Sequence, residues 1–76
     1  MSAEKITRMA NQIAMFMETK PEAEGVAGLA AHINDFWEPR MRRQFFEVVD
    51  AGGAGLRPLV LKAAASVRRP PVEEAA

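Results

Sequence analysis

Prolines at positions 21, 39 and 58, with a glycine-rich run from 52 to 55, divide this chain into short pieces. A proline lacks the amide proton that an interior helix position needs, and it disfavours helical geometry in the residue before it. It suits the first turn of a new helix. Pro21 and Pro39 therefore each close one helical stretch and open the next, and Pro58 opens a further one. No piece is long enough for a large element, and the fold has to come from packing short helices together.

The apolar spacing within the pieces is helical. Residues 3–19 place Ile6, Met9, Ile13, Phe16 and Met17 at steps of three and four, with polar residues between. A second helix, from the proline to about Phe36, carries its stripe on Val26, Leu29, Ala30, Ile33, Phe36 and Trp37. Glu22 and Glu24 stand at its start, where the helix dipole favours negative charge. Gly25 and Gly28 each cost about 1 kcal/mol relative to alanine inside a helix, and Gly28 is predicted to mark a crossing with another helix. A third helix spans roughly 39–50 with Met41, Phe45, Val48 and Val49 inward, and ends at the glycines of the 50–55 loop. Leu56, Leu59, Val60, Ala63, Ala64 and Val67 then predict a fourth over about 57–67. The expected class is all-α: three to four short helices in a small bundle or two helix hairpins. The helical domain covers 1–67, and a flexible tail covers 68–76.

At 76 residues the chain makes one small domain, whose core supplies no more than about 3–5 kcal/mol without further support. No cysteine is present to form a disulfide, and one histidine without thiols does not make a four-ligand zinc site. Docking on a larger protein or oligomerisation remains as a source of stability. Hydrophobic content of 49% argues against disorder. No apolar run approaches the roughly 20 residues that span a bilayer, and the N-terminus lacks the apolar core of a signal peptide. The net charge is zero but unevenly laid out. Residues 1–39 carry three basic and six acidic groups, and residues 40–69 seven and two. That bipolarity suits a protein bridging two surfaces, or is scattered solvated charge.

Catalytic chemistry has little to draw on. His32 is the single imidazole, no tyrosine is present, and Ser2, Thr7, Thr19 and Ser66 lie in unrelated segments. The glycine loop has neither a preceding strand nor the Gly-Lys-Ser/Thr ending of a phosphate loop. The conspicuous stretch is Asp35 to Arg43, which holds the one tryptophan beside Phe36 and three arginines after Pro39. Arg40, Arg42 and Arg43 fall in the opening of a helix, where the dipole disfavours cations, and violations of local rules tend to mark function. Arginine suits bidentate carboxylate contacts and stacking on aromatic faces such as Trp37. The structural alternative is that Glu38–Arg42 and Arg43–Glu47 ion pairs decorate a solvated helix. The doublets Phe36-Trp37, Phe45-Phe46 and Val48-Val49, with Met15-Phe16-Met17, cannot all face one core, because successive helix residues diverge by about 100°. Some are expected to form an exposed interface. Residue physics leads to a small helical module that sits on a partner.

Particular motifs extend this reading. Met9-Ala10-Asn11-Gln12-Ile13, then His32-Ile33 with Phe36-Trp37-Glu38-Pro39-Arg40-Met41-Arg42, then Gly52-Gly53-Ala54-Gly55-Leu56 with Pro58-Leu59-Val60, resemble the delta subunit of bacterial NAD-dependent formate dehydrogenase. The resemblance covers about residues 6–62. Glu38 departs from it, standing where a shorter Asp or Asn is expected. The resemblance implies a non-catalytic accessory subunit of a cytoplasmic complex that oxidises formate with NAD. It also implies that the molybdenum or tungsten pterin cofactor, the iron–sulfur clusters and the flavin belong to larger subunits, with none in this chain. The expected partners are those subunits, the catalytic one first, with no nucleic acid and no membrane. Phe36, Trp37, Arg40, Met41, Arg42 and Arg43 are the expected partner-binding residues. Two alternatives stand beside it: a maturation factor present only during cofactor insertion, and an unrelated helical nucleic-acid-binding or regulatory protein.

Overall fold

Residues 2–70 are described by a computed structural model. Four helices follow in order: α1 (Ala3–Met17), α2 (Glu22–Phe36), α3 (Pro39–Asp50) and α4 (Pro58–Ala64), with no strand among the described residues. The all-α expectation holds. α2 folds back along α1 and also packs against α4, while α3 lies chiefly on α1.

Local chemistry explains the helix limits. Ser2 Oγ accepts from the Lys5 amide at 3.1 Å and so caps α1, satisfying one of the amides that the first turn leaves open. α1 stops at Met17, two residues short of the expected end, and the Thr19 hydroxyl donates to the Phe16 carbonyl at 2.7 Å. α3 and α4 both open on proline. α3 ends where the Gly52 amide donates to the Val49 carbonyl and the Gly53 amide to the Val48 carbonyl. That paired closure requires a left-handed residue just beyond the helix, and Gly52 supplies it with φ of 115°. α4 is shorter than expected. Past Ala64 the chain tightens into i→i+3 bonds from Ser66 to Ala63 and from Val67 to Ala64.

The core is one cluster drawn from all four helices, with Ile6, Leu29, Ile33, Phe45 and Val60 fully buried. α1 turns Ile6, Ala10 and Ala14 inward, with Met9, Ile13 and Met17 partly buried around them. Phe16, expected on that stripe, is 62% exposed because it points about 100° away from Met17. Of the two α2 glycines, Gly25 rather than Gly28 lies against the backbone of α1. A Cβ on Gly25 would stand 2.7 Å from the Met17 carbonyl oxygen, a backbone atom, whereas one on Gly28 would meet only the end of the Met17 side chain.

Of the segment 68–76, expected as a flexible tail, Arg68 to Pro70 are described. The Arg68 amide donates to Asn34 Oδ1 at 2.8 Å, and the Arg69 guanidinium lies 4.1 Å from the Phe46 ring centroid while gripping both Asp50 oxygens. The rest of the expected tail lies outside the described residues.

Candidate docking surface at the α2–α3 junction

Between Phe36 and Pro39 the chain leaves one helix and enters the next, with Trp37 in extended geometry at φ −88° and ψ 128°. That break sends two adjacent aromatics to opposite fates. Trp37, expected at a partner contact, turns into the core at 5% exposure and meets Phe45 edge-on, with centroids 5.9 Å apart. An indole buries a large apolar area there, so in the folded chain Trp37 is part of the core. Phe36 is 72% exposed, touched by the His32 ring at 4.9 Å. His32 thus serves as a half-buried neighbour of an aromatic on a helix face.

The arginines divide in the same way. Arg42 Nε donates to the Trp37 carbonyl at 3.4 Å, and its Nη1 to the Arg68 carbonyl at 2.6 Å. Arg68 in turn donates from Nη2 to the Asn34 carbonyl at 3.3 Å. These two guanidinium groups thus engage carbonyls at the end of α2, where the helix dipole is negative and acceptors lack intrahelical partners. A cation that is unfavourable at the start of α3 is favourable at the adjacent end of α2. Arg42 therefore has a structural role. Arg40 is exposed, while Arg43 and Met41 are half-buried, with Met41 packed against the core. Glu38 occupies the N-cap position of α3 without a side-chain cap bond. Of the six expected contact residues, the fold presents Phe36 and Arg40 outward and leaves Met41 and Arg43 at the margin.

Asparagines hold the remaining loops. Asn11 Nδ2 donates to the Gly55 carbonyl at 2.8 Å while its Oδ1 accepts from the Arg57 amide at 2.9 Å. Asn34 does the same for the Ser66 carbonyl and the Arg68 amide, at 3.0 and 2.8 Å. Arg57 forms a two-bond pair with Glu18 at 2.7 and 2.8 Å, and Arg69 forms one with Asp50 at 3.0 and 2.9 Å. In each pair the hydrogen bonds hold the carboxyl below its ordinary value and the guanidinium above its own. Sequence reasoning missed these fasteners. The available signal was an asparagine inside a helix, an intrinsically poor choice there unless its amide has a task.

Among the described residues no group of three or more His, Asp or Glu side chains is placed to hold a metal ion. With no cysteine in the chain, the usual thiolate ligands of an iron–sulfur cluster are also missing from its residues. Among the described residues no helix is long and apolar enough to cross a membrane.

A family model described as NADH-dependent formate dehydrogenase delta subunit FdsD matches residues 5–64. Among curated proteins and solved structures nothing matches the chain. The matched stretch runs from the first turn of α1 to the last residue of α4 and so takes in every helix, the α2–α3 junction and the glycine loop. The chain belongs to the delta-subunit family of NADH-dependent formate dehydrogenase.

Proposed function

We propose that this chain is a non-catalytic accessory subunit that docks on the larger subunits of a cytoplasmic NAD-dependent formate dehydrogenase and stabilises or assembles the complex. The pterin cofactor, iron–sulfur clusters and flavin reside on those larger subunits, and the catalytic one is the partner. The observation that carries this reading is Phe36, 72% exposed at the α2–α3 junction four residues before the exposed Arg40. A large aromatic is seldom left in water without a use, and aromatic and arginine side chains dominate binding energies at interfaces. The fold closes its own core with Trp37 and Phe45, so Phe36 is spare for another protein.

Co-purification from cells expressing the whole complex tests this. Tagged wild-type chain should retain the larger subunits in fixed stoichiometry, while a Phe36→Ala, Arg40→Glu variant should lose them and stay folded. Recovery of no larger subunit by the wild type defeats the proposal, and retention only before cofactor insertion points to a maturation factor.

A further inference from the structure

Away from that junction, the beginning of α1 and the second half of α3 enclose a concavity of about 300 Å³. Its walls are Ala3 from α1, Gln44, Glu47, Val48 and Ala51 from α3, and Ala54 from the glycine loop. It opens past Ala3, Val48 and Ala54 into a broader groove of about 560 Å³ along α1. We propose that this pocket receives a basic side chain, arginine or lysine, from a larger subunit of the complex. The inference rests on the docking proposal above and adds a second contact, on a different face.

Three features fix the chemistry of the occupant. Most of the lining is apolar, made by Ala3, Val48, Ala51 and Ala54. It suits the methylene stem of a long charged side chain, which buries its stem and keeps its head near water. Among the described residues, the charged group lining the pocket is the exposed carboxylate of Glu47, and no lysine or arginine lines it. Arg8 belongs to the adjoining groove. The pocket also sits against the last turns of α3, whose negative end has no basic residue in its own last turn. Arg69 engages Phe46 and Asp50, which are one turn apart on a different side of the helix from Gln44, Val48 and Ala51. The start of α1, the opposite dipole end, is offset by its Ser2 cap and by Glu4 in the first turn.

Gln44 gives a further, independent pointer. Its Oε1 is buried without a hydrogen-bond partner among the described residues. An unpaired buried acceptor costs stability that a rotation toward a donor recovers. A guanidinium or ammonium head seated beside Glu47 brings several N–H donors within reach of a rotated Gln44 amide, and its charge makes those bonds stronger than neutral ones.

Two variants separate this contact from the fold. Ala51→Arg fills the pocket with the chain's own cation at an exposed position and places positive charge at the negative end of α3. The isolated subunit should then be as stable as wild type or more so, while its retention in the complex falls about tenfold or more. Glu47→Lys, also exposed, should weaken retention likewise and leave helicity unchanged. The measurement is affinity of tagged delta chain for the purified larger subunits, at two salt concentrations, with circular dichroism of each free variant. Wild-type binding with undiminished binding of both variants overturns the pocket and leaves the docking proposal intact. No wild-type binding removes both. Concentration-dependent self-association of the free subunit that both variants abolish assigns the pocket to a second copy and overturns the inference.

Discussion

Asn11 and Asn34 bind distant chain in the same manner. Each amide accepts a backbone N–H and donates to the carbonyl two residues earlier, Asn11 at Arg57 and Gly55, Asn34 at Arg68 and Ser66. One asparagine fastens the entry to α4 to α1, and the other fastens the exit from α4 to α2. A helix of seven residues is too short to stand alone, so these clamps at both ends add to the burial of Leu59, Val60 and Ala63 in holding it. Replacing either asparagine by alanine removes two hydrogen bonds, each contributing about 1 kcal/mol. Each variant is expected to lose about 1–2 kcal/mol, and thermal unfolding should shift down by several degrees in a domain of this size. Because the two sites share no partner, the double variant should lose about the sum.

The two glycines of α2 respond in opposite senses. Ala at 25 places a methyl 2.7 Å from the Met17 carbonyl oxygen, and neither helix can yield without moving backbone. A loss of about 1–3 kcal/mol is expected, as for other overpacked contacts. Ala at 28 meets Met17 Sδ at 2.9 Å, the end of a flexible side chain that can turn away. There the gain in helix propensity, about 1 kcal/mol, should leave the protein as stable as wild type or slightly more so. Urea unfolding of both variants checks the pair. Equal losses would show that Met17 cannot move.

Prolines and glycines announced the helix limits because their effect is local, and α2 and α3 begin and end within a residue or so of where the sequence places them. What the sequence hid depends on chain reversal. Three arginines look misplaced when only the start of α3 is considered. Once α2 is seen to end beside it, Arg42 reads as a ligand for α2's open carbonyl end. The choice between Phe36 and Trp37 for the core is equally illegible, since both fit the end of the stripe and an extended residue at 37 resets the direction. The asparagine clamps span 32 to 46 residues of sequence, and no local rule connects them. Exposed Phe16 and Phe36 fit the expectation that some apolar residues stay outside, though their identity came from packing.

Acid should loosen the outer fasteners before the core. Hydrogen bonds from Arg57 to Glu18 and from Arg69 to Asp50 hold both carboxyls below their ordinary values. A carboxyl depressed in the folded state contributes stability that is fully present above its unfolded value, about pH 4. The contribution fades as pH falls through the folded value. Stability should therefore be flat in these groups from pH 7 to about 5 and decline below about pH 4. Both pairs are solvent-exposed, so the effect is small and weakened by salt. A Glu18→Gln, Asp50→Asn variant should show a shallower decline between pH 5 and 3 in urea titrations at low salt. An unchanged slope would assign the acid sensitivity to other carboxyls.

Neighbouring Phe36 and Trp37 should separate binding from folding. Trp37→Ala empties a buried site against Phe45, and truncations of this kind cost about 3–5 kcal/mol. That equals the whole stability a core of this size supplies, so the isolated chain should be largely unfolded at 25 °C. Any loss of larger subunits by this variant would follow from unfolding. Phe36→Ala removes a ring that is mostly in water, and its stability should stay within about 0.5 kcal/mol of wild type. If Phe36 is a docking residue, this variant keeps full helicity by circular dichroism and binds the larger subunits at least about tenfold more weakly. If it binds as wild type does while folded, the exposed ring has another purpose, and the docking surface lies elsewhere on the module.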